Sequence, residues 1–247
     1  MKEFNLIKFL DKYKDSTVDF FRFPGNYGDS LIWHGTMKLL SQINIKVDYV
    51  DLLSKKKNDI LFIDGGGNLV DYYSDIRDFL IAKPALYKEI VILPHTIFGY
   101  KQIDVLNSLQ SNITIFCREK VSADFVMKHI KNGKVYLWHD CAFYNSFEHR
   151  LKGFGTFNAF RSDCESISRI KPKQNYDISH NGYATKPLDI LIEKLQLYEL
   201  INTDRLHIAI AGTLLGKRVK LYHNSYYKNK AVFEYSLKRF PNIDFIE

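Results

Sequence analysis

Short runs of β-branched and other apolar residues alternate with helix-like patterns over the first half of the chain, and this alternation limits the fold more than any other feature. The spacing is typical of strand–helix–strand units, in which consecutive strands lie parallel in one sheet and helices cover both of its faces. The predicted strands are Val18–Phe23, Val47–Leu52, Asp59–Asp64, Glu89–Leu93, Ile113–Cys117 and Val135–Trp138. The predicted helices are Asp29–Gln42, Asn68–Ala82, Ile103–Ser111 and Lys120–Ile130.

A polar, glycine-containing stretch at residues 145–155 interrupts this pattern, and we interpret it as a linker. Shorter predicted elements follow it, at Thr156–Arg161, Tyr176–Ser179, Pro187–Tyr198, Asp204–Leu215, Arg218–Tyr222 and Ala231–Arg239. We therefore expect an α/β protein with two Rossmann-like lobes, an N-terminal lobe over residues 1–150 and a smaller C-terminal lobe over residues 151–247. The last helix is free in this scheme to pack back on the N-terminal lobe. Ligands of such sheets bind at the carboxyl ends of strands, where the strand order reverses.

The charge of the chain favours some partners over others. The formal net charge is +7 over 247 residues, a modest excess that suits anionic ligands, anionic polymers or a peripheral contact with a membrane face. The lysines are spread along the chain, and neither a zinc-finger spacing nor a basic base-reading helix is present. We therefore expect no binding to nucleic acid.

Cysteine content and hydropathy indicate the compartment. The three cysteines, Cys117, Cys141 and Cys164, are odd in number and distant in sequence, which argues against a disulfide framework and favours a reducing compartment. The N-terminus lacks the apolar core of a signal peptide, and no apolar run approaches the roughly 18 residues of a membrane span. We predict a cytoplasmic protein, with the inner face of the membrane as the place of any peripheral contact.

Two glycine-containing segments follow predicted strands. In the first, residues 23–30, the glycines allow a sharp turn and bring amide groups close to a ligand. Asp29 in this segment either caps the following helix or contacts a sugar hydroxyl. The second segment is Asp64-Gly65-Gly66-Gly67-Asn68, whose three glycines indicate close approach by another backbone or by a ligand. It matches neither Walker A nor the Rossmann fingerprint, and a loop packed on a neighbouring strand is the alternative.

Two arginines follow predicted strands. Arg118 closes a buried strand and can either reach a cleft or pair with Glu119 or Asp140; the ion pair is the favoured interpretation. Arg161 opens an Arg-x-Asp-x-Glu cluster, residues 161–165. Its guanidinium group can clamp a carboxylate or phosphate, or can belong to a solvated charge cluster.

The segment Thr203-Asp204-Arg205-Leu206-His207 precedes a run of small apolar residues that predicts a buried helix. Thr203 is the predicted N-cap, and Asp204 suits the first turn. Arg205 and His207 then stand at a helix end that attracts anions. A charged and a titratable side chain together at such an end predict an anion site.

Taken in order, these segments resemble the polysaccharide pyruvyl transferase family. The matching pieces span about residues 18–240 and are Gly25–Asp29, Asp64–Asn68, Arg118–Ser122, Asp140–Phe143, Arg161–Glu165 and Thr203–His207. The resemblance implies a two-lobed arrangement like that of glycosyltransferase B enzymes, phosphoenolpyruvate as the donor substrate, and a role for Arg161, Arg205 and His207 in donor binding and catalysis. The chain departs from the family pattern at His139, where proline usually precedes the aspartate, and at Ile208, where a small residue usually follows the histidine.

The implied reaction moves a pyruvyl group from phosphoenolpyruvate to a sugar of a surface polysaccharide or its lipid-linked precursor, and it needs no cofactor or metal. Guanidinium groups suit the donor's carboxylate and phosphate, so we expect Arg161, Arg205 and the helix end at Thr203 to hold them. The other predicted donor-binding residues are Gly28, Gly66, Asn68 and Arg118. His207 is the predicted acid for the methylene carbon, because imidazole titrates near neutral pH. Asp29 is predicted to orient or deprotonate an acceptor hydroxyl, and a cyclic ketal results.

Two other functions stay open from the residues alone. One is a glycosyltransferase on the same fold that uses a nucleotide sugar and therefore binds a uridine or guanosine diphosphate. The other is a non-catalytic protein that binds a glycan or an anion without releasing phosphate.

Overall fold

The computed structural model describes residues 3–23, 25–148, 152–167, 171–179 and 188–247. The chain divides into two compact units, Met1–Phe23 with Thr36–Cys141, and Pro24–Gly35 with Ala142–Glu247. The structure thus differs twice from the predicted division at residue 150, because the first unit ends at Cys141 and the segment Pro24–Gly35 belongs to the second unit. Hydrogen bonds explain the second difference: Ser179 Oγ donates to Asn26 Oδ1 at 2.6 Å, and Asn145 Nδ2 donates to the carbonyl oxygen of Leu31 at 2.8 Å.

The first unit is built on a parallel sheet that has seven strands among the described residues. These are β1 (Thr17–Phe21), β2 (Lys46–Val50), β3 (Ile60–Ile63), β4 (Gly66–Val70), β5 (Glu89–Phe98), β6 (Ile113–Cys117) and β7 (Lys134–Leu137). Their order is β2-β1-β3-β5-β6-β7, with β4 paired to β5, so the strand order reverses between β1 and β3. Every residue of β6 is buried, as expected for a strand covered on both faces.

Helices and turns connect these strands. The helices are α1 (Leu6–Leu10), α2 (Tyr27–Ile43), α3 (Asp75–Ala82), α4 (Tyr100–Ser108) and α5 (Lys120–His129), and 3-10 turns lie at Asp11–Tyr13 and Pro84–Leu86. The helix α5 packs on β5 and β7, and α3 packs on β4. The core of the unit therefore lies between the sheet and its covering helices.

The second unit contains a parallel sheet, in which the described residues form four strands in the order β11-β10-β9-β8. The strands are β8 (Thr156–Asn158), β9 (Leu200–Thr203), β10 (Arg218–Tyr222) and β11 (Ile243–Ile246). The helices are α6 (Leu188–Gln196), α7 (Leu206–Leu214) and α8 (Lys228–Val232), the last followed by a π-helical turn at Phe233–Leu237; a 3-10 turn lies at Cys141–Tyr144. A Cβ atom at Gly212 would lie 2.8 Å from Ile201 Cδ1, so the glycine lets α7 pack closely on β9.

The predicted α/β class, with parallel sheets flanked by helices, is confirmed. The prediction of helix from Asn68 was wrong, because β4 pairs with β5 there and α3 begins only at Asp75. Residues 176–179 are not a strand, although Asn175 forms an isolated bridge with Asn158. Pro187 and residues 149–151, parts of a predicted helix and of the predicted linker, lie outside the described residues. In the described part of the chain, no helix combines the length and apolar character that crossing a membrane requires.

Candidate functional site

The turn that begins α2 lies in the second unit and is held by reciprocal hydrogen bonds. Asn26 Oδ1 accepts from the backbone N–H of Gly28 at 2.7 Å, and Asp29 Oδ2 accepts from the backbone N–H of Asn26 at 2.8 Å. This is a capping-box arrangement in which Asn26, and not Asp29, is the N-cap. Asp29 is half-buried, and its second carboxylate oxygen, Oδ1, accepts no hydrogen bond from the described residues.

His207 packs against this turn. A Cβ atom built on Gly28 would lie 2.8 Å from His207 Nδ1 and 3.1 Å from His207 Cβ, so a larger residue there would collide with the imidazole ring. His207 is half-buried and is the second residue of α7. The structure therefore brings together two of the predicted segments, which are about 180 residues apart in the sequence.

The start of α7 differs in detail from the prediction. The N-cap is Arg205, not Thr203, which is the last residue of β9. Thr203 is fully buried; its Oγ1 accepts from the backbone N–H of Arg205 at 3.0 Å and donates to the carbonyl oxygen of Ala159 at 2.7 Å. Thr203 thus holds the chain at the beginning of the helix.

Arg161 and Arg205 meet on one carboxylate group. Arg161 Nε and Nη2 donate to Asp163 Oδ1 and Oδ2 at 2.7 and 3.0 Å, and Arg205 Nη2 donates to Asp163 Oδ2 at 2.9 Å. The two arginines are neighbours because β8 and β9 pair in parallel and each arginine follows the end of its strand. Both are buried, at 4% and 5% exposure.

Two further carboxylates complete the pairing. Asp177 accepts from Arg205 Nε and Nη2 at 2.5 and 2.6 Å. Glu165 accepts from Arg161 Nη1 at 2.6 Å and from Lys228 Nζ at 2.5 Å. Asp177 was not predicted from the sequence, because it lies in a segment without a basic neighbour or a glycine pattern.

Burial and charge compete in setting the pKa values of these carboxyl groups. Burial acts to raise the pKa of Asp163, but hydrogen bonding and charge from Arg161, with the charge of Arg205, hold it well below its usual range. Burial also acts to raise the pKa of Asp177, but the hydrogen bond and the charge of Arg205 outweigh it, so the pKa of Asp177 is lowered. Asp204 differs, since burial raises its pKa although its Oδ1 accepts from the backbone N–H of Arg161 at 2.7 Å.

Among the ion pairs that the described residues form in this arginine–carboxylate network, the formal charges cancel. Its members are Arg161, Arg205 and Lys228 on the positive side and Asp163, Glu165 and Asp177 on the negative side. The network therefore fixes the two guanidinium groups in place. Nη1 of Arg205 donates to none of the described residues, so it stands available beside the N-terminal end of α7.

A cavity of about 800 Å³ lies in the same unit. Its walls are rich in aromatic rings and carry a few polar groups, and the described lining residues are Tyr27, Thr156, Phe157, Gln174, Tyr176, Ile178, Ile190, Glu193, Lys194, Leu197 and Tyr198. The rings of Phe157 and Tyr198 stack with centroids 4.9 Å apart. Burial, and then the charge of nearby Tyr176, raise the pKa of Tyr27, which directly precedes Gly28. Tyr27 lies in the predicted glycine-containing segment, whereas Tyr176 and Tyr198 lie outside every segment that the sequence predicted to bind a ligand.

The other predicted donor-binding residues lie in the first unit. Gly66 has a φ of +151°, and a Cβ atom there would lie 2.9 Å from Phe23 Cζ. Gly67 leaves room for Arg118, whose Nη2 would be 2.9 Å from a Cβ atom at that glycine. Arg118 is 1% exposed, and its Nη1 donates to Asp140 Oδ2 at 2.7 Å. The favoured ion pair is thus present, and it supports the glycine loop from within.

Asn68 and His95 hold the same loop. Asn68 Nδ2 donates to Asp75 Oδ2 at 3.1 Å, which ties the loop to the start of α3. The backbone N–H groups of Asn68 and Leu69 donate to His95 Nε2 at 3.0 and 3.3 Å. Burial, reinforced by the charge of Arg118, lowers the pKa of His95 to about 3, so the ring stays neutral and accepts both bonds. The sequence analysis gave His95 no role.

Fold and site together define an α/β protein with parallel sheets in which a histidine and an arginine stand at an anion-attracting helix end. The profile of the family described as "Polysaccharide pyruvyl transferase" matches residues 26–219. The chain belongs to that family and is a transferase, which confirms the resemblance stated from the sequence.

Two relatives illustrate the similarity. The Bacillus subtilis (strain 168) protein named "Putative pyruvyl transferase EpsO" is 25% identical over 289 residues, which cover 95% of this chain and 89% of that protein. The crystal structure of a "functional uncharacterized protein" from Klebsiella pneumoniae subsp. pneumoniae NTUH-K2044 superposes with a TM-score of 0.83 at 31% identity, and covers 98% of this chain and 96% of that one.

Proposed function

We propose that this transferase moves a pyruvyl group from phosphoenolpyruvate to two hydroxyls of one sugar, in a surface polysaccharide or its lipid-linked precursor, and leaves a cyclic ketal and phosphate. The observation that carries the proposal is the packing of His207 against Gly28, with Arg205 at the same end of α7. This arrangement joins a proton donor to an anion-attracting helix end, which the donor's chemistry requires.

The donor carries a carboxylate and a phosphate, so it needs fixed hydrogen-bond donors. Because the charges of the arginine–carboxylate network cancel, the anion is held by the groups the network leaves over: Nη1 of Arg205 and the first backbone N–H groups of α7. Arg161 then acts as a positioning residue, since it orients the Asp163 carboxylate that in turn holds Arg205. Thr203 positions the helix end in the same sense.

Protonation of the methylene carbon makes C2 of the donor electrophilic, and His207 supplies that proton. A first sugar hydroxyl attacks C2, and the bond between C2 and the phosphate oxygen then breaks. A second hydroxyl of the same sugar attacks C2 and closes the ketal. Of the two hydroxyl protons, one restores His207 and the other leaves with phosphate. Asp29, with its free Oδ1, orients the attacking hydroxyl.

The aromatic cavity is the proposed place of the acceptor sugar. Its volume of about 800 Å³ is within the usual range for small-molecule sites. Tyr176, which is 48% exposed, offers a ring face for the apolar face of a sugar, and Gln174 and Glu193 offer hydrogen-bond partners for its hydroxyls. Tyr27 directly precedes Gly28, so the cavity begins one residue from the turn that contacts His207.

Phosphate release from phosphoenolpyruvate tests the proposal, measured across a panel of galactosides, glucosides and N-acetylhexosaminides. We expect release only with a suitable acceptor, whose mass increases by the pyruvyl ketal. His207→Ala should fold normally and lose turnover, whereas the matched control His129→Ala, in the first unit, should keep it.

The same panel separates the alternatives. Consumption of a uridine or guanosine diphosphate sugar in place of phosphoenolpyruvate would identify a glycosyltransferase. Binding of phosphoenolpyruvate without turnover for any acceptor would indicate a binding protein. Full turnover in His207→Ala would remove His207 from the mechanism.

A further inference from the structure

We propose that one edge of the first unit docks on an anionic lipid bilayer. This docking edge combines the loop that follows β2 with the segment that runs from the last turn of α3 to Lys88. Its apolar members are Leu52, Leu53, Ile81 and Leu86, and its basic members are Lys55, Lys56, Lys57, Lys83 and Lys88. The inference goes beyond pyruvyl transfer and does not depend on the identity of the donor.

The apolar members of the docking edge are unusually exposed. Leu53 is 93% exposed and Ile81 is 64% exposed, and Leu52 and Leu86 exceed 40%. The two segments meet where Lys83 Nζ donates to the carbonyl oxygen of Ser54 at 3.2 Å. Single exposed apolar residues are ordinary on a protein surface. Two exposed apolar residues on each of two segments that contact each other indicate a contact site.

The backbone that carries Leu53 is already ordered. Asp51 Oδ1 accepts from the backbone N–H of Leu53 at 2.9 Å and from that of Ser54 at 2.7 Å. Ser54 Oγ in turn accepts from the backbone N–H of Asp51 at 3.0 Å. This Asx turn holds the leucine outward, so insertion costs little additional ordering of the chain.

The charge of the docking edge suits anionic headgroups. Lys56 and Lys88 share the carboxylate of Asp59, at 2.6 and 2.7 Å, while Lys55 and Lys57 are exposed to solvent. A lysine near an anionic membrane surface strengthens binding by a factor of about five. Lysines and exposed leucines around an ordered turn are typical of peripheral membrane contacts.

The composition argues against the other macromolecular partners. Protein–protein interfaces are enriched in arginine and aromatic residues and depleted of lysine, which is the reverse of the docking edge. Single-stranded nucleic acids are bound on aromatic stacking platforms, and the nine residues that define the docking edge include no aromatic side chain. An anionic bilayer is the partner that both its leucines and its lysines suit.

Co-sedimentation of the full chain with lipid vesicles tests the inference. We expect binding to vesicles of phosphatidylcholine with phosphatidylglycerol, no binding to phosphatidylcholine alone, and release by added salt. Lys55→Glu/Lys57→Glu should weaken binding by about 25-fold or more, and Leu52→Ser/Leu53→Ser should also weaken it. Matched controls are Lys128→Glu/Lys131→Glu for charge and Phe154→Ser, at an 88% exposed phenylalanine, for apolar surface.

Three results would overturn the inference: wild-type protein that stays in the supernatant with anionic vesicles at low salt, edge variants that bind like wild type, or control variants that lose as much binding as edge variants. Light scattering could give a fourth contradicting result: the wild type is a dimer, and the leucine variant is a monomer that binds vesicles as well as the wild type does. That result would assign the edge to a second copy of the chain. Phosphate release with a soluble acceptor should be equal in wild type and edge variants, so failure of the docking edge is distinguishable from failure of the proposed function.

Discussion

Gly28→Ala is the substitution that isolates the contact between α2 and His207. The added Cβ atom would lie 2.8 Å from His207 Nδ1, 3.0 Å from Asn26 Oδ1 and 3.1 Å from His207 Cβ. Unstrained contacts between such atoms are about 3.5 Å, so the imidazole ring must retreat by roughly 0.7 Å. A misplacement of about 1 Å in a catalytic group costs on the order of 100-fold in rate, and we therefore expect kcat to fall about 10- to 100-fold.

The stability of this variant should hardly change. Alanine is preferred over glycine in a helix by up to about 1 kcal/mol, which offsets part of the crowding. The measurements are kcat and KM from phosphate release, with the free energy of unfolding from urea titration. Gly212→Ala, inside α7, is the control, because its Cβ atom would lie 2.8 Å from Ile201 Cδ1 in the core. The same helix preference offsets part of the overpacking there, so this variant should lose about 1 kcal/mol of stability with little loss of kcat. A Gly28→Ala enzyme with wild-type kcat would refute the assignment of His207.

Three further predictions follow from the same contacts. Asp163→Asn leaves two buried guanidinium groups without their shared negative charge and should lower the free energy of unfolding by about 2–3 kcal/mol. This loss is somewhat less than for a fully buried ion pair, because the Asp163 side chain is 23% exposed. The control Asp78→Asn, in a surface ion pair, should cost under about 1 kcal/mol, and equal losses in the two variants would contradict the burial argument. Folding lowers the pKa of His95 to about 3, so the stability that the neutral ring contributes is present above pH 6.5 and is lost as the pH falls toward 3. Between pH 6.5 and 5 the free energy of unfolding of the wild type should fall by ~2 kcal/mol more than that of His95→Gln. Parallel curves of urea-derived unfolding free energy against pH would disprove this prediction. Tyr176→Ala should raise the acceptor KM roughly five- to tenfold through lost ring contact, and a change in the donor KM alone would place the acceptor elsewhere.

The strands that sequence patterns predicted best are those with continuous or alternating apolar residues. The predicted bounds Ile113–Cys117 and Arg218–Tyr222 are those of β6 and β10. The first two residues of β4, Gly66 and Gly67, were predicted as part of a glycine loop, and residues 68–70 as the start of a helix. The distant His95 ring, which accepts hydrogen bonds from the backbone N–H groups of Asn68 and Leu69, stabilises the strand instead. The strand β9, four residues long, lacks a strong pattern of its own and depends on its neighbours in the sheet.

The candidate site was predictable to a similar degree. Arg161 and Arg205 could be expected to meet, since each follows a strand and parallel strands end at the same edge of a sheet. Asp163 and Glu165 belong to the cluster predicted around Arg161. Asp177 could not be predicted, because it reaches Arg205 only through the tertiary fold. The contact of Gly28 with His207 depends in the same way on long-range packing, which no local pattern in the sequence encodes.

The reaction run in deuterium oxide gives the most direct test of pyruvyl transfer with protonation at the methylene carbon. We expect one phosphate per ketal formed and a single deuterium in the methyl group of that ketal, seen by nuclear magnetic resonance of the purified product. Phosphate release without a ketal, or a ketal whose methyl group carries no deuterium, would contradict it.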